Sequence, residues 1–281
     1  MNTLSQAKQA AILKALTEGS SIRSTARMVG VSKTTVLRLL VEVGELCAIY
    51  QDHKLRNLSC KRIEADEIWA FVGAKQRKAK RLGDGDIWTF TALDADTKLV
   101  VTWLVGRRTP ENTHAFIRDL HSRLTERVQL TTDAYMPYVT AIEGAFGWQG
   151  CDFSQLVKKY RGEPTGRYSP PVCVGVERQP IMGNPDPAYV STSFVERQNL
   201  NLRMNARRFT RLTNAFSRKV ENHAHAVALH FMVYNFCRPH GTLTKAKGGI
   251  HTTPAMAAGV SDHVWTVEEL IGLLDPKKLL Q

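Results

Sequence analysis

Apolar positions recur at helical spacing along residues 5–47. Ile12, Leu13 and Leu16 form a stripe that Gly19 closes. A second short helix is predicted from about residue 22 to Val29, and a third begins after Ser32, whose hydroxyl can cap its first turn. The connection Val29-Gly30-Val31-Ser32 reads as the tight turn of a helix-turn-helix. Ala26 is small where two helices cross, and Gly30 can take the positive φ that the turn needs. Lys33, Thr34, Thr35 and Arg38 then lie outward on the early third helix, the part that would enter a major groove. The pattern predicts a helix-turn-helix DNA-binding domain over residues 1–50. A small helical hairpin with no DNA role fits the same positions.

Residues 51–62 are polar and mixed in charge, and read as a linker. Beyond them the texture becomes strand-like, rich in Ile, Val, Trp, Phe and Thr, over residues 63–72, 86–93 and 98–106. A basic tip carrying Lys75, Arg77, Lys78, Lys80 and Arg81 joins the first two strands, either as a solvated turn or as a DNA contact. Thr109 and Pro110 open a helix with Phe116, Ile117, Leu120 and Leu124 on one side. A fourth strand, 127–132, ends at Asp133, and 136–146 is helical. This order predicts an α/β domain over 63–240 with a mixed sheet and flanking helices. Residues 161–193, rich in Pro and Gly, read as an insertion with a β-like piece at 172–176. Phe194 opens a long helical region in which residues 197–219 hold Arg197, Arg203, Arg207, Arg208, Arg211, Arg218 and Lys219 without one acidic residue. A second, apolar helix spans 220–237. Residues 241–281 form a tail of short helices, the last opened by a Thr266–Glu269 capping box.

With 281 residues and 43% hydrophobic side chains, the chain can bury a sizeable core, which excludes the disordered class. No apolar run reaches the roughly 18 residues of a membrane span, and no secretory leader is evident. The five cysteines are scattered without a C-x-x-C pair, as expected of reduced thiols in cytoplasm. The net charge of +12 points to an anionic partner.

Walker-type loops, nucleophile elbows and H-E-x-x-H are absent from the sequence. What remains are acids at element ends: Asp66 in the first strand, Asp133 closing the fourth, Glu196 in the first turn of the basic helix. If the first and fourth strands are neighbours, two carboxylates meet and the helix brings a third. Such acids repel one another unless a divalent cation neutralises them, and oxygen-only ligands suit Mg²⁺ or Mn²⁺. Each acid also has a plain structural reading: Asp66 as a solvated strand residue, Asp133 as a helix cap, Glu196 in a capping box with Ser193. His223, His225 and His230 read more simply as core or surface histidines than as a metal cluster. Trp69, Trp88 and Trp103 read as core.

The segments Asp66-Glu67-Ile68-Trp69-Ala70-Phe71-Val72-Gly73, Thr132-Asp133-Ala134-Tyr135 and Phe194-Val195-Glu196-Arg197-Gln198-Asn199-Leu200 resemble the catalytic core of the insertion-sequence-one family of DDE transposases. Arg207-Arg208-Phe209-Thr210-Arg211-Leu212-Thr213-Asn214-Ala215-Phe216-Ser217 and Tyr234-Asn235-Phe236-Cys237-Arg238-Pro239-His240 resemble it too, so the likeness covers about residues 62–260. It implies a ribonuclease-H-like fold, with Asp66, Asp133 and Glu196 as catalytic residues and ligands of two Mg²⁺ (or Mn²⁺) ions. It implies cleavage at element ends, then attack of the freed 3′-hydroxyl on target DNA. Lys33, Thr34, Thr35, Arg38, Arg197, Arg203, Arg207, Arg208 and Arg211 are the expected DNA contacts. Double-stranded DNA is the expected partner, and synapsis of two ends implies a homo-oligomer. Two departures stand out: no Cys-rich finger precedes the helix-turn-helix, and the Asp133–Glu196 interval is lengthened by the Pro/Gly-rich segment. A non-catalytic DNA-binding regulator and a structure-selective nuclease of the same fold are the competing expectations.

Overall fold

A computed structural model describes residues 4–161, 172–210 and 213–275. Its first three helices are α1 (Gln6–Thr17), α2 (Ile22–Val29) and α3 (Lys33–Lys54). Serine hydroxyls of Ser5, Ser21 and Ser32 each accept from the third residue beyond, satisfying a backbone N–H left over at each N-terminus. Between α2 and α3 the chain turns at Gly30, left-handed at φ 67°, and Val31 N donates to Ala26 O at 3.0 Å.

The sheet is built from β1 (Arg62–Val72), β2 (Gly85–Asp94), β3 (Val100–Gly106), β4 (Val128–Asp133), β5 (Cys151–Arg161) and β6 (Val172–Met182). Their spatial order is β3-β2-β1-β4-β5-β6. β1–β2, β2–β3 and β5–β6 pair antiparallel, β1–β4 and β4–β5 parallel. A mixed α/β architecture results, with helices on both faces. On one face lie α4 (Pro110–Arg123), capped by Thr109, and α5 (Pro137–Phe146); on the other lie α6 (Ser193–Asn205) and α7 (Val220–Met232). Period-two alternation assigns each side chain its layer. Ile63 and Ala65 of β1 join the core under α4 and α5, whereas Ile68, Ala70 and Val72 pack with Val195, Leu202 and Phe231 of the opposite layer.

Helix α3 stacks on the outer side of α7, where Val43 and Cys47 share a core with Leu229 and Met232. The approach is close enough that a Cβ on Gly44 would sit 2.5 Å from His225 O. Asn235, in the π-helical turn that follows α7, exchanges 3.0 Å bonds with both the N–H and the C=O of Val100 on edge strand β3, and reaches Gln51 Oε1 at 3.3 Å. Three layers are thereby pinned at one buried amide. The tail supplies α8 (Gly241–Ala246), α9 (Pro254–Ala257) and α10 (Val267–Gly272), the last with the expected Thr266–Glu269 box.

Three expectations are revised. The range 51–62 is not a polar linker throughout: residues 51–54 are the last turn of α3, and Leu55, Leu58 and Cys60 are core residues. The described part of 161–193 contains strand β6, which pairs with β5, a strand the sequence did not reveal because its Ser154 and Gln155 are buried polar residues. The long basic helix stops at Asn205; Arg207–Phe209 is a single 3₁₀ turn and residues 213–219 are not helical. Arg211 lies outside the described residues.

Candidate metal centre

The parallel register of β1 and β4 ends at Ala65↔Thr132. Asp66 and Asp133 occupy the next position on each strand, at the carboxyl edge of β4, where β1 runs on paired only with β2. A crevice at the carboxyl ends of parallel strands is where open α/β sheets place ligands. Alternation sends Asp66 toward α6 and Glu67 toward α5, so acids from both faces border the same gap. Carboxylate oxygens of Asp66, Glu67 and Asp133 lie within 4.8 Å of one another, the one such cluster among the described residues.

Each acid is held by a different element. Asn199 Nδ2 on α6 donates to Asp66 Oδ2 at 2.8 Å. Arg108, in the β3–α4 connection, donates from Nη2 to Glu67 Oε2 at 3.2 Å and to Asp133 Oδ2 at 3.3 Å. Its guanidinium lies over the Tyr135 ring at 3.8 Å and near Trp88 at 5.1 Å, a geometry suited to cation–π attraction. Asp133 Oδ1 accepts from Tyr135 N at 3.0 Å in a local turn, and α5 starts after Met136 without a side-chain cap, so the helix-cap reading of Asp133 does not hold. Just above Asp66 on the same face, Glu64 Oε2 accepts from the N–H groups of Phe194 and Val195 at 2.8 and 3.0 Å, anchoring the start of α6.

Burial and mutual repulsion raise the pKa values of Asp66 and Glu67. Asp66 is pushed up to about 6, first by desolvation and then by the charge of Asp133, with Glu196 adding a smaller increment. Glu67 is pushed up to about 8 by desolvation and Asp133, against which Arg108 works. Glu67 Oε1 is buried without a hydrogen-bond partner, as are Asn199 Oδ1, Arg108 Nε and the Tyr138 hydroxyl. Tyr138 stands beside Glu67, near enough to influence its titration but outside hydrogen-bonding geometry. A buried carboxylate oxygen without a donor, among two further carboxylates, is a poor arrangement for protein alone. It fits a cation. The all-oxygen donor set favours a hard ion.

Glu196 stands apart from this cluster. Its Oε1 is taken by Lys158 Nζ of β5 and by the Thr192 hydroxyl, and the expected box with Ser193 does not form because Ser193 bonds Ser191 instead. The acid that completes the set is Glu67. Its position beside Asp66 in Asp66-Glu67 is visible in sequence, but neighbouring side chains of a strand point to opposite faces, so adjacency alone gives no reason for both acids to share a site. Only the end of the β1–β4 ladder permits it. Arg108 carried no signal beyond its place before a helix cap.

The expected DNA contacts divide. Lys33, Thr34 and Arg38 are exposed at the start of α3, though Arg38 also faces Glu42 at 3.8 Å; Thr35 is half-buried and bonds Ser32. Arg197 and Arg207 are exposed, while Arg203 is half-buried. Arg208 is turned inward, donating from Nη1 to Ser217 Oγ at 2.9 Å and Asn222 O at 2.7 Å. Desolvation lowers it to about 10, and it is a structural residue here. His223 and His230 are core histidines, held neutral with pKa values lowered to about 3 by burial. No helix among the described residues is long and apolar enough to cross a membrane. Compared with protein-family models and with curated proteins, the chain matches none.

Proposed function

We propose that the protein is a DDE-type DNA transposase whose acidic cluster directs metal-dependent phosphoryl transfer on DNA. The observation that carries the reading is the convergence of Asp66, Glu67 and Asp133 at the ends of two neighbouring parallel strands. The order β3-β2-β1-β4-β5, antiparallel up to β1 and parallel beyond it, supports a ribonuclease-H-like core, with β6 as an addition. The α2–Gly30–α3 unit, with exposed Lys33, Thr34 and Arg38, supports a helix-turn-helix that reads terminal inverted repeats in the cytoplasm.

Asp66, Glu67 and Asp133 would hold Mg²⁺ or Mn²⁺, which when bound supplies charge neutralisation and Lewis acidity at a phosphodiester. Asn199 fixes the Asp66 carboxylate, and Arg108 balances the other two acids until an ion arrives. Glu196, whose charge already reaches Asp66, is the third acid of the family pattern and would join a second ion on leaving Lys158 and Thr192. In the first step a water oxygen bonds to phosphorus, the P–O3′ bond breaks and the 3′-oxygen leaves with a proton. In the second, that 3′-hydroxyl displaces the 3′-oxygen of a target phosphodiester, one bond made for one broken. No covalent enzyme intermediate is required, since positioning and electrostatics lower the barrier.

Incubation of the protein with labelled element ends, target plasmid and Mg²⁺ tests the reading. Joined product supports a transposase acting as an oligomer on paired ends. Cut product alone would indicate a nuclease, and a gel shift with neither product would indicate a regulator.

A further inference from the structure

Away from the acidic cluster, a cleft of about 910 Å³ opens between the N-terminal helices and the chain that follows α6. One wall runs from the end of α1 through residues 19–24 to the start of α3. The other consists of residues 205–208 and 213–218 with Asn222 and the adjoining side of α7. Its deepest side chains, Leu40 and Leu229, are 2% exposed, and Leu16, Leu37 and Ala226 continue that apolar floor. Around the rim stand Arg23, Lys33, Arg207 and Arg218, all exposed and without a carboxylate partner among the described residues. Not one lining residue is acidic.

The walls are preset. Gly19, at φ +78°, lies so near α6 that a Cβ there would be 2.9 Å from Met204 O, and Gly44 locks α3 onto α7 farther along. Gly73 N donates to Ser217 O at 2.8 Å, stitching one wall to the end of β1. Val72 is six residues beyond Asp66, about 20 Å along the strand. An apolar floor beneath a purely cationic rim matches a flat heterocycle attached to a phosphate. A cleft of this size admits one or two such units but not a duplex.

We propose that this cleft is a binding site for a nucleotide unit with an unstacked base: the base rests on Leu37, Leu40 and Leu229 and the phosphate meets Arg23, Lys33, Arg207 and Arg218. The unit belongs to an unpaired stretch of DNA or to a free nucleotide. The inference rests on the nucleic-acid reading above but not on its phosphoryl-transfer chemistry.

Fluorescence anisotropy of the full chain in EDTA tests it, with three probes: a blunt duplex, the same duplex bearing a five-nucleotide unpaired tail, and dAMP as competitor. The tailed duplex is expected to bind about tenfold more tightly than the blunt one. The double variant Arg23→Ala/Arg218→Ala, exposed and safe for folding, should bring that ratio within about twofold of unity, and Leu37→Asp should abolish it. If dAMP binds the wild type but neither variant, and displaces the tail, the site stands and its occupant is a free nucleotide; if dAMP does not compete, the occupant is the strand. Equal affinity for both duplexes without dAMP binding, or a ratio untouched by the variants, overturns the proposal. Because binding is read without metal, loss of cleavage chemistry on other grounds leaves the result intact.

Discussion

Arg108 Nη2 lies 3.2 Å from Glu67 Oε2, a carboxylate oxygen on a side chain that is only 1% exposed. The same nitrogen reaches Asp133, so one guanidinium stands where a cation would neutralise the cluster. Arg108 therefore acts as the resident counter-ion of the metal-free protein.

Arg108→Gln should destabilise the metal-free protein by about 1–3 kcal/mol, because a buried carboxylate loses its donor. The same change should strengthen Mn²⁺ binding, since the ion no longer displaces a like charge. Thermal melts with and without Mn²⁺, together with calorimetric titration, measure both. A variant with unchanged Mn²⁺ affinity would show that the guanidinium does not share the ion's place.

The raised pKa values of Asp66 (about 6) and Glu67 (about 8) set a pH dependence. Both exceed the usual values of unfolded carboxyls, so the folded state binds protons more tightly than the unfolded one. Stability from these groups is complete below about pH 4, falls as pH rises through 6 and 8, and is flat beyond. Melting temperatures in EDTA should decline across that window. Excess Mg²⁺ should remove the decline, because it favours the ionised acids. A flat profile in EDTA for the wild type would contradict the cluster's geometry.

Asp66→Asn and Asp133→Asn should each abolish cleavage while leaving gel-shift affinity for DNA largely intact. Glu67→Gln should weaken Mn²⁺ binding by at least about tenfold. Glu196→Gln should leave the first ion's affinity nearly unchanged yet abolish cleavage. Equal losses of Mn²⁺ affinity in Glu67→Gln and Glu196→Gln would mean that α6 delivers its acid to the same ion.

Two glycines separate backbone strain from packing. A Cβ on Gly30 meets nothing within 4 Å, so Gly30→Ala costs only the left-handed conformation, about 1–2 kcal/mol. Gly44 has ordinary backbone but no room, and Gly44→Ala forces α3 away from α7 at about 1–3 kcal/mol. Denaturant melts measure both. DNA affinity should fall with Gly30→Ala only in proportion to unfolding, whereas Lys33→Ala should flatten the salt dependence by about one phosphate contact.

Local pattern alone determined much of this protein. Runs rich in Ile, Val, Trp, Phe and Thr marked β1 to β3 and a short run closed by Asp133 marked β4, Ser32 and Thr109 announced their helices, and Asp66 and Asp133 stood out as acids on those strands, because these signals lie within a few residues of the feature they specify. Nothing local distinguishes a buried polar strand from a loop, so β5 was not legible and β6 showed only as the β-like piece at 172–176, until their antiparallel ladder placed both in the sheet. Tertiary structure also decided which acid completes the cluster. Glu67 joins Asp66 because the β1–β4 ladder ends at Ala65↔Thr132 and leaves a gap reachable from both faces, while Lys158, far along the chain, holds Glu196 aside. Such outcomes depend on where strands part and which distant charge arrives first, and sequence spacing carries neither.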